Sequence, residues 1–566
     1  MSFYFSDFGV LLGHVSLAQI KLYSKDPLKK QKDVLKKIVR RNKHCELGKK
    51  LNLKDVHSIE DYQRIVPLST YADYEPYVDR MLNNGEKRLM FNGFNFRYAS
   101  SSGSVGKPKM LPKGANDLWK MQCIGFSVSV ATAYHHMKDR GIRMSNQVGP
   151  LALNLSGHKL KDGKQCNGAG QIPLRFLRTL MPFFCTSPMS LLYPNLEDKL
   201  DTSYLHLRFC LENKKVSYLG SIVVTLLTTM FDYLEENWEM MCDDIEKGII
   251  NPNIDIPDNL RAKYAKKFKP NPERANELRA IFKEGFDEPV APKIWPGLQW
   301  AYGMMGSNLS VYVEKLRKVI GPNVPIHNMG YAAAEGFFAA PTELDVNDYV
   351  LLPWCLFFEF LPIEDLEDSA DDTVKPLLIN ELEVGKNYEM IVSNFSGLYR
   401  YNMNDIVEAS APLFGKTPRI HMVQKVNGIV TITGEKLYEG QFVNAVKEAE
   451  TQTGLKLNYF AGYANLDESR YDWYFEFEDQ SVSQEKAEEF GKRVDTIIKG
   501  LNMEYAAKRD SFRLKDSAIF RLEQKSFDKF KTEILEQTKQ DASRFKPNVL
   551  SQKEPFHQVI AHYVIK

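Results

Sequence analysis

The stretch Tyr98-Ala99-Ser100-Ser101-Ser102-Gly103-Ser104-Val105-Gly106-Lys107-Pro108-Lys109 decides how the chain is read. Before it, Phe94, Phe96 and Tyr98 alternate with Asn95 and Arg97, the period-two pattern of a half-buried strand. After it, Asp117 is placed to cap an apolar helix running to about Met137. A strand that breaks into hydroxyls and glycines before a helix turns backbone N–H groups outward, where phosphate oxygens can accept from them. The segment has the form of a polyphosphate cradle. It is not the loop of kinases and GTPases, because Gly103 and Gly106 stand too close together and neither Ser nor Thr follows Lys107. Taken alone, a Ser/Gly-rich turn of this kind reads equally well as a flexible loop.

Two later segments decide between those readings. Tyr331-Ala332-Ala333-Ala334-Glu335-Gly336 follows an apolar stretch, and Gly397-Leu398-Tyr399-Arg400-Tyr401-Asn402-Met403-Asn404-Asp405-Ile406-Val407 comes after it. In this order the three segments resemble the [ST]SG[ST]xGxPK, Y-[GA]-[SA]-[STA]-E-G and GLYRYRxGDV elements of acyl-adenylate-forming enzymes. The GLYRY wording resembles that of the GH3 family of acyl-acid amido synthetases. Further similarity lies in Val66-Pro67-Leu68 with Tyr71, Tyr74-Glu75-Pro76-Tyr77, Asp244-Ile245 with Gly248, Ile294-Trp295-Pro296 and Gly434-Glu435-Lys436-Leu437, so it extends over nearly the whole chain.

The resemblance implies an α/β fold. A large N-terminal adenylation domain of mixed sheets and helices, residues 1–422, would bind ATP, and a small mobile α+β lid, residues 423–566, would close on it. Ser101, Ser102, Gly103 and Ser104 would hold the phosphates of ATP, Tyr331 would lie against the nucleotide, Glu335 would be a ligand of Mg²⁺, and Asp405 would take the ribose hydroxyls. Lys546, in Arg544-Phe545-Lys546-Pro547, matches the family's C-terminal catalytic lysine with one residue missing, and Lys425 falls at the interdomain hinge. The chain departs from the pattern at Ala332–Ala334, which lack hydroxyls, at Asn404, which replaces a glycine, and at Gln424, which stands in place of an arginine. Asn tolerates left-handed backbone better than other residues with a side chain, so the turn at Asn404 is compatible with the motif.

The residues suit the chemistry so implied. A carboxylate is a poor electrophile because its leaving group would be oxide, and attack on the α-phosphorus of ATP converts it to a mixed anhydride. Negative charge then gathers on phosphate oxygens, which calls for fixed donors, a divalent metal and a mobile cation. A compact ammonium on a flexible stem, as at Lys546, fits the last role, although a surface lysine is the bland alternative. An amino acid or other amine would receive the acyl group, with Lys425 or Lys436 near its carboxylate. The helix from Asp117 is expected to line the acid pocket through Met121, Ile124 and Val128, and its lack of arginine before Arg140 favours a monoacid. Two other readings stand beside this one. An acyl-CoA ligase would be expected to show a basic patch for the phosphorylated nucleotide, which no segment displays, and a non-catalytic descendant of the adenylate fold would act as a binding protein.

Composition narrows the field. Among 566 residues, 74 Lys and Arg nearly cancel 72 Asp and Glu, which argues against nucleic acid as the main partner. No apolar run reaches membrane-spanning length, and Met1–Val15 lacks the basic start of a signal peptide and reads as a short helix on the main domain. The 7 cysteines are scattered and form no CxxC, as expected of reduced thiols in the cytoplasm.

The remaining organisation is read from periodicity. Asp26–Lys50 and Ile222–Ile249 read as amphipathic helices, and Ala409–Arg419, with Pro412, Gly415 and Pro418, reads as the linker into the second domain. Beyond it, Ile420–Val423 and Ile429–Thr433 read as paired strands. A helix is expected from Glu439, strands near Leu457–Tyr463 and Trp473–Glu478, and a helix from Ser483. Asp243, Asp244 and Glu246 are taken as diverging helix-surface carboxylates. His135–Gly141, close to an amide-forming HHxxxDG motif, has its aspartate one residue early and reads as a polar helix end.

Overall fold

The computed structural model of the chain describes residues 5–100, 109–120, 127–129, 131–133, 149–152, 158–160, 163–168, 182, 185–193, 201–305, 310–341, 343–363, 375–425, 428–433, 435, 437–510, 514–538, 549–552 and 554–565. The chain forms two compact units. One takes in most of the chain up to His421, and the other is built from Asn404–Val407 and Met422–Lys566.

The larger unit opens on the helix Phe5–Tyr23, longer than its sequence suggests, and Gly13 is the reason it can pack closely. A Cβ at Gly13 would lie 2.1 Å from both the Cβ of Ala131 and the carbonyl oxygen of Ser127. The helix Pro27–Asn42 follows. Asp26 caps it by accepting from the Lys29 N–H, Pro27 fits its first turn, and Val34, Leu35, Ile38 and Val39 turn inward. Its lysines stay on the solvent face, as the amphipathic pattern requires.

Strands β1 (Arg97–Ser100) and β2 (Met110–Lys113) form an antiparallel hairpin that brackets residues 101–108, with Arg97 opposite Lys113 and Ser100 opposite Met110. The expected inward Phe94 and Phe96 are a correction. Both rings precede the strand, are exposed, and meet edge to face at 4.8 Å. Asn95 turns inward instead, because its amide oxygen accepts from the Lys113 N–H and satisfies the end of the hairpin. The helix that follows also starts differently from expectation. Gly114 occupies the cap position of Ala115–Trp119, and Asp117 is buried within its first turn. Helical residues recur at 127–129 and 131–133.

Around this hairpin lie three sheets. With β4 (His158–Lys159) and β5 (Gln165–Gly168), the hairpin forms a sheet in the order β2-β1-β5-β4, in which β1 and β5 are parallel, while β3 (Leu151–Ala152) belongs to a different sheet. A parallel sheet runs β3-β6-β7-β8, with β6 at Tyr218–Val223, β7 at Trp300–Met304 and β8 at Ile326–His327. The helix Val224–Lys247 leaves β6 directly and buries Leu227, Phe231 and Leu234, ending at Gly248 in the left-handed conformation. Contrary to expectation, Asp244 on this helix is buried and accepts from the Tyr204 hydroxyl at 2.8 Å, while Asp243 and Glu246 pair with Arg279.

The third sheet has seven strands in the order β12-β13-β14-β15-β11-β10-β9. These are β9 (Tyr331–Ala332), β10 (Phe337–Pro341), β11 (Tyr349–Leu351), β12 (Phe357–Pro362), β13 (Asn387–Ser393), β14 (Tyr401–Ser410) and β15 (Arg419–Lys425). The Pro- and Gly-bearing stretch expected as an interdomain linker therefore connects two neighbouring strands of one sheet. Turn-forming residues serve a β-hairpin as readily as a linker, and sequence does not separate the two uses.

The smaller unit contains a short pair, β16 (Ile429–Val430) with β17 (Leu437–Tyr438), and a four-stranded sheet ordered β20-β19-β18-β21. Its strands are β18 (Leu457–Asn465), β19 (Arg470–Phe477), β20 (Ala518–Arg521) and β21 (Leu550–Ser551). The expected pairing of Ile420–Val423 with Ile429–Thr433 does not form, since Ile420 pairs with Tyr349 and Ile429 with Tyr438. The helices Glu439–Thr453 and Gln484–Leu501 stand where expected, the second capped by Ser483. Tyr471, Trp473, Phe475 and Phe477 are all core residues. Among the described residues no helix is long and apolar enough to cross a membrane.

Candidate active site

Glu335 is the centre of the part of the site that the structure describes. It sits in the turn between β9 and β10, where Ala333 and Gly336 exchange backbone hydrogen bonds of 3.0 and 3.2 Å. Its carbonyl oxygen accepts from Asn394 Nδ2 at 2.8 Å and from Lys113 Nζ at 3.2 Å. Its carboxylate shares a hydrogen bond with the Tyr401 hydroxyl, and burial followed by the Glu335 charge pushes that phenol far above its ordinary pKa. Lys109 Nζ donates to the same hydroxyl at 3.4 Å and lies 5.8 Å from the centre of the Tyr71 ring. Both backbone and side chain of Glu335 are thus held, at 6 % exposure, beside the strand that leaves the 101–108 segment.

Tyr331 lies four residues before Glu335, buried, with its ring 4.9 Å from Phe338 and 6.5 Å from Tyr349. Asp405 is on β14, four residues beyond Tyr401, and is only 2 % exposed. Just before it, Asn404 has φ +53°, in the left-handed region where Asn is a natural substitute for Gly. The side chain of Lys425, and Ser101, Ser102, Gly103, Ser104, Lys436 and Lys546, lie outside the described residues, as do Met121, Ile124 and His135–Gly141. Val128 is fully buried in the core.

The Gly397–Tyr401 segment is anchored to the N-terminal Val66–Tyr77 region. Gly397 has φ +96°, and a Cβ there would lie 2.4 Å from the carbonyl oxygen of Met90. The Tyr399 N–H donates to the Tyr74 hydroxyl, and the Tyr399 hydroxyl donates to Met90 O, each at 2.9 Å. Arg400, itself at φ +48°, pairs with buried Glu359 at 3.1 Å and donates to the carbonyls of Gln63 and Val66. Ser69 bridges to the backbone of Arg400 and Asn402. The two motifs are therefore one structural unit, and Arg400 is committed to holding it together.

Similar roles fall to other signature residues. The Glu435 carboxylate is wholly buried and accepts from the N–H groups of Ile432 and Thr433, the Thr433 hydroxyl and the Tyr471 hydroxyl. Trp295 is a core residue whose indole donates to Cys210 O. Sequence reasoning passed over Lys113, Asn394, Tyr71 and Tyr401 as site residues. Tyr71 and Tyr401 carried a signal, each belonging to a stretch that carries the family resemblance.

Comparison with known proteins completes the assignment. The model of the GH3 family N-terminal domain matches residues 16–326, that of the central domain 349–425 and that of the C-terminal domain 440–555. The chain belongs to the GH3 family. This GH3 chain is 28 % identical over 464 residues to jasmonoyl–L-amino acid synthetase GH3.5 of Oryza sativa subsp. japonica, covering 77 % of this chain and 76 % of that one. It is 27 % identical to the putative indole-3-acetic acid-amido synthetase GH3.9 of Arabidopsis thaliana, over 75 % of this chain and 74 % of the other. Its fold is that of the solved GH3.15 acyl acid amido synthetase, with TM-score 0.82, 21 % identity and coverage of 97 % and 96 % of the two chains.

Proposed function

We propose that this GH3 chain is an AMP-forming ligase, an ATP-dependent acyl-acid amido synthetase that joins a carboxylic acid to an amino acid or other amine. What carries the reading is the match of all three GH3 domain models in order along one chain whose relatives are named as amino acid-conjugating synthetases. Residues 1–422 serve as the adenylating body and 423–566 as the lid.

In the first half-reaction a carboxylate oxygen bonds to the α-phosphorus of ATP while the bond to pyrophosphate breaks. In the second, the amine nitrogen bonds to the acyl carbon, AMP leaves with the bonding pair, and the nitrogen gives up a proton. Ser101, Ser102, Gly103 and Ser104 receive the phosphates, Asp405 accepts from the ribose hydroxyls, and Tyr331 stands against the nucleotide. Lys546 brings positive charge to the reacting oxygens, and Lys425 lies where the lid turns between the two steps.

Mg²⁺ suits the donor set. Glu335 presents a hard, nearly buried carboxylate, and among the described residues no cluster of three ligating side chains exists to form an all-protein cage. A cation bound by one carboxylate and by nucleotide oxygens is the usual magnesium arrangement, and when bound it would neutralise charge gathering on the phosphates. The Tyr401 phenol holds that carboxylate in place. The six described cysteines, all buried and unbridged, accord with work in the cytoplasm.

A pyrophosphate-release screen over monocarboxylic acids, run with ATP and Mg²⁺ and with and without amino acids, tests the reading. Release should depend on a particular acid. Absence of release with every acid, while ATP still binds, would indicate a binding protein on an adenylate fold.

A further inference from the structure

Lys113 is the one fully buried lysine in the hairpin that brackets residues 101–108, with no measurable exposure. Burying an ammonium costs several kcal/mol unless it is compensated, so its place in the fold calls for a reason. Its backbone is fixed at the hairpin's end, opposite Arg97, by the bond from its N–H to Asn95. Its Nζ crosses from β2 to the β9–β10 turn and donates to the carbonyl of Glu335. Asn394 donates to the same oxygen, and the Asn394 amide oxygen in turn accepts from the N–H groups of Ser396 and Leu398 at the head of the Gly397 motif. Burial holds the Lys113 ammonium below the ordinary lysine pKa, and the carboxylates of Asp117 and Glu335 offset part of that.

We propose that Lys113 is a positioning residue that ties the phosphate hairpin to Glu335 and sets the aim of that carboxylate toward the nucleotide's metal ion. The inference rests on the amido synthetase reading of the same site. Two donors on one carbonyl oxygen fix the peptide at residue 335, and the Tyr401 hydroxyl fixes the far end of the side chain, leaving the carboxylate little rotational freedom. Outer-shell partners of this kind usually matter about 10–100-fold in metal affinity or activity when removed.

Calorimetric titration of the full chain with MgATP, and separately with ATP in the presence of a chelator, tests this. Wild type should bind MgATP more tightly than metal-free ATP. Lys113→Met, which keeps bulk and loses the charge and donor, should cut that magnesium advantage about tenfold while leaving metal-free ATP affinity unchanged. Lys113→Gln, which keeps a donor, should recover part of it and carries the test if the Met variant fails to fold. In a Glu335→Gln background Lys113→Met should add nothing further. Equal weakening of both nucleotide forms, or no change in either, overturns the role of Lys113. Failure of wild type to bind ATP in either form overturns the amido synthetase reading itself, and with it the inference.

Discussion

Asp405 is the residue on which nucleotide recognition depends most in this account. It is nearly buried on β14, and Asn404 before it takes the left-handed conformation. If it accepts from both ribose hydroxyls, Asp405→Ala loses two bonds to a charged acceptor, each worth about 1.5–3 kcal/mol. ATP affinity measured by calorimetry should fall at least tenfold, and an unchanged affinity would remove Asp405 from the site. Arg400 stands in the same motif with a different role. Both of its nearest neighbours in sequence are tyrosines bonded elsewhere, and its guanidinium is spent on Glu359 and two carbonyls. Motif membership alone does not distinguish a ligand-facing residue from one that holds the motif in shape.

At the scale of elements, the helix Glu439–Thr453 offers a measurable consequence. Glu439 opens the helix from a buried position, and burial pushes its carboxyl up to about 8 from an ordinary 4.5. The folded state then keeps a proton that the unfolded state releases above about pH 4.5, so this residue's contribution to stability falls as pH rises from there to about 8 and is level beyond. At pH 7 the deficit is about 3 kcal/mol by linkage. Glu439→Gln mimics the protonated form and should raise the urea midpoint of the smaller unit at pH 8, with little gain at pH 5. A gain independent of pH would contradict the assignment.

Legibility also varied by element. Helices with clear caps, at Asp26 and Ser483, and the alternating aromatic strand at Tyr471–Phe477 were readable because local chemistry fixes them. The inversion at Phe94–Phe96 was not, because an amide at the hairpin's end outweighs the alternation of apolar residues. Asp244 escaped for a similar reason, since its partner Tyr204 lies on another helix. Lys113 resembled any other lysine until the β9–β10 turn came to meet it.

For the whole molecule, the order of the motifs was legible where their mutual placement was not. The pairing of β14 with β15 absorbs the stretch that composition marks as a linker, and the smaller unit gathers its sheet from residues up to Ser551. The N-terminal, central and C-terminal GH3 models match in that order along the one chain. What sets the proposed reaction apart is an amine acceptor. Purified full-length protein given its cognate acid, ATP, Mg²⁺, a mixture of amino acids and coenzyme A should yield an N-acyl amino acid and AMP in equal amounts by mass spectrometry. Rapid formation of an acyl thioester, with no amide from any amino acid, would contradict the account and establish a coenzyme A ligase.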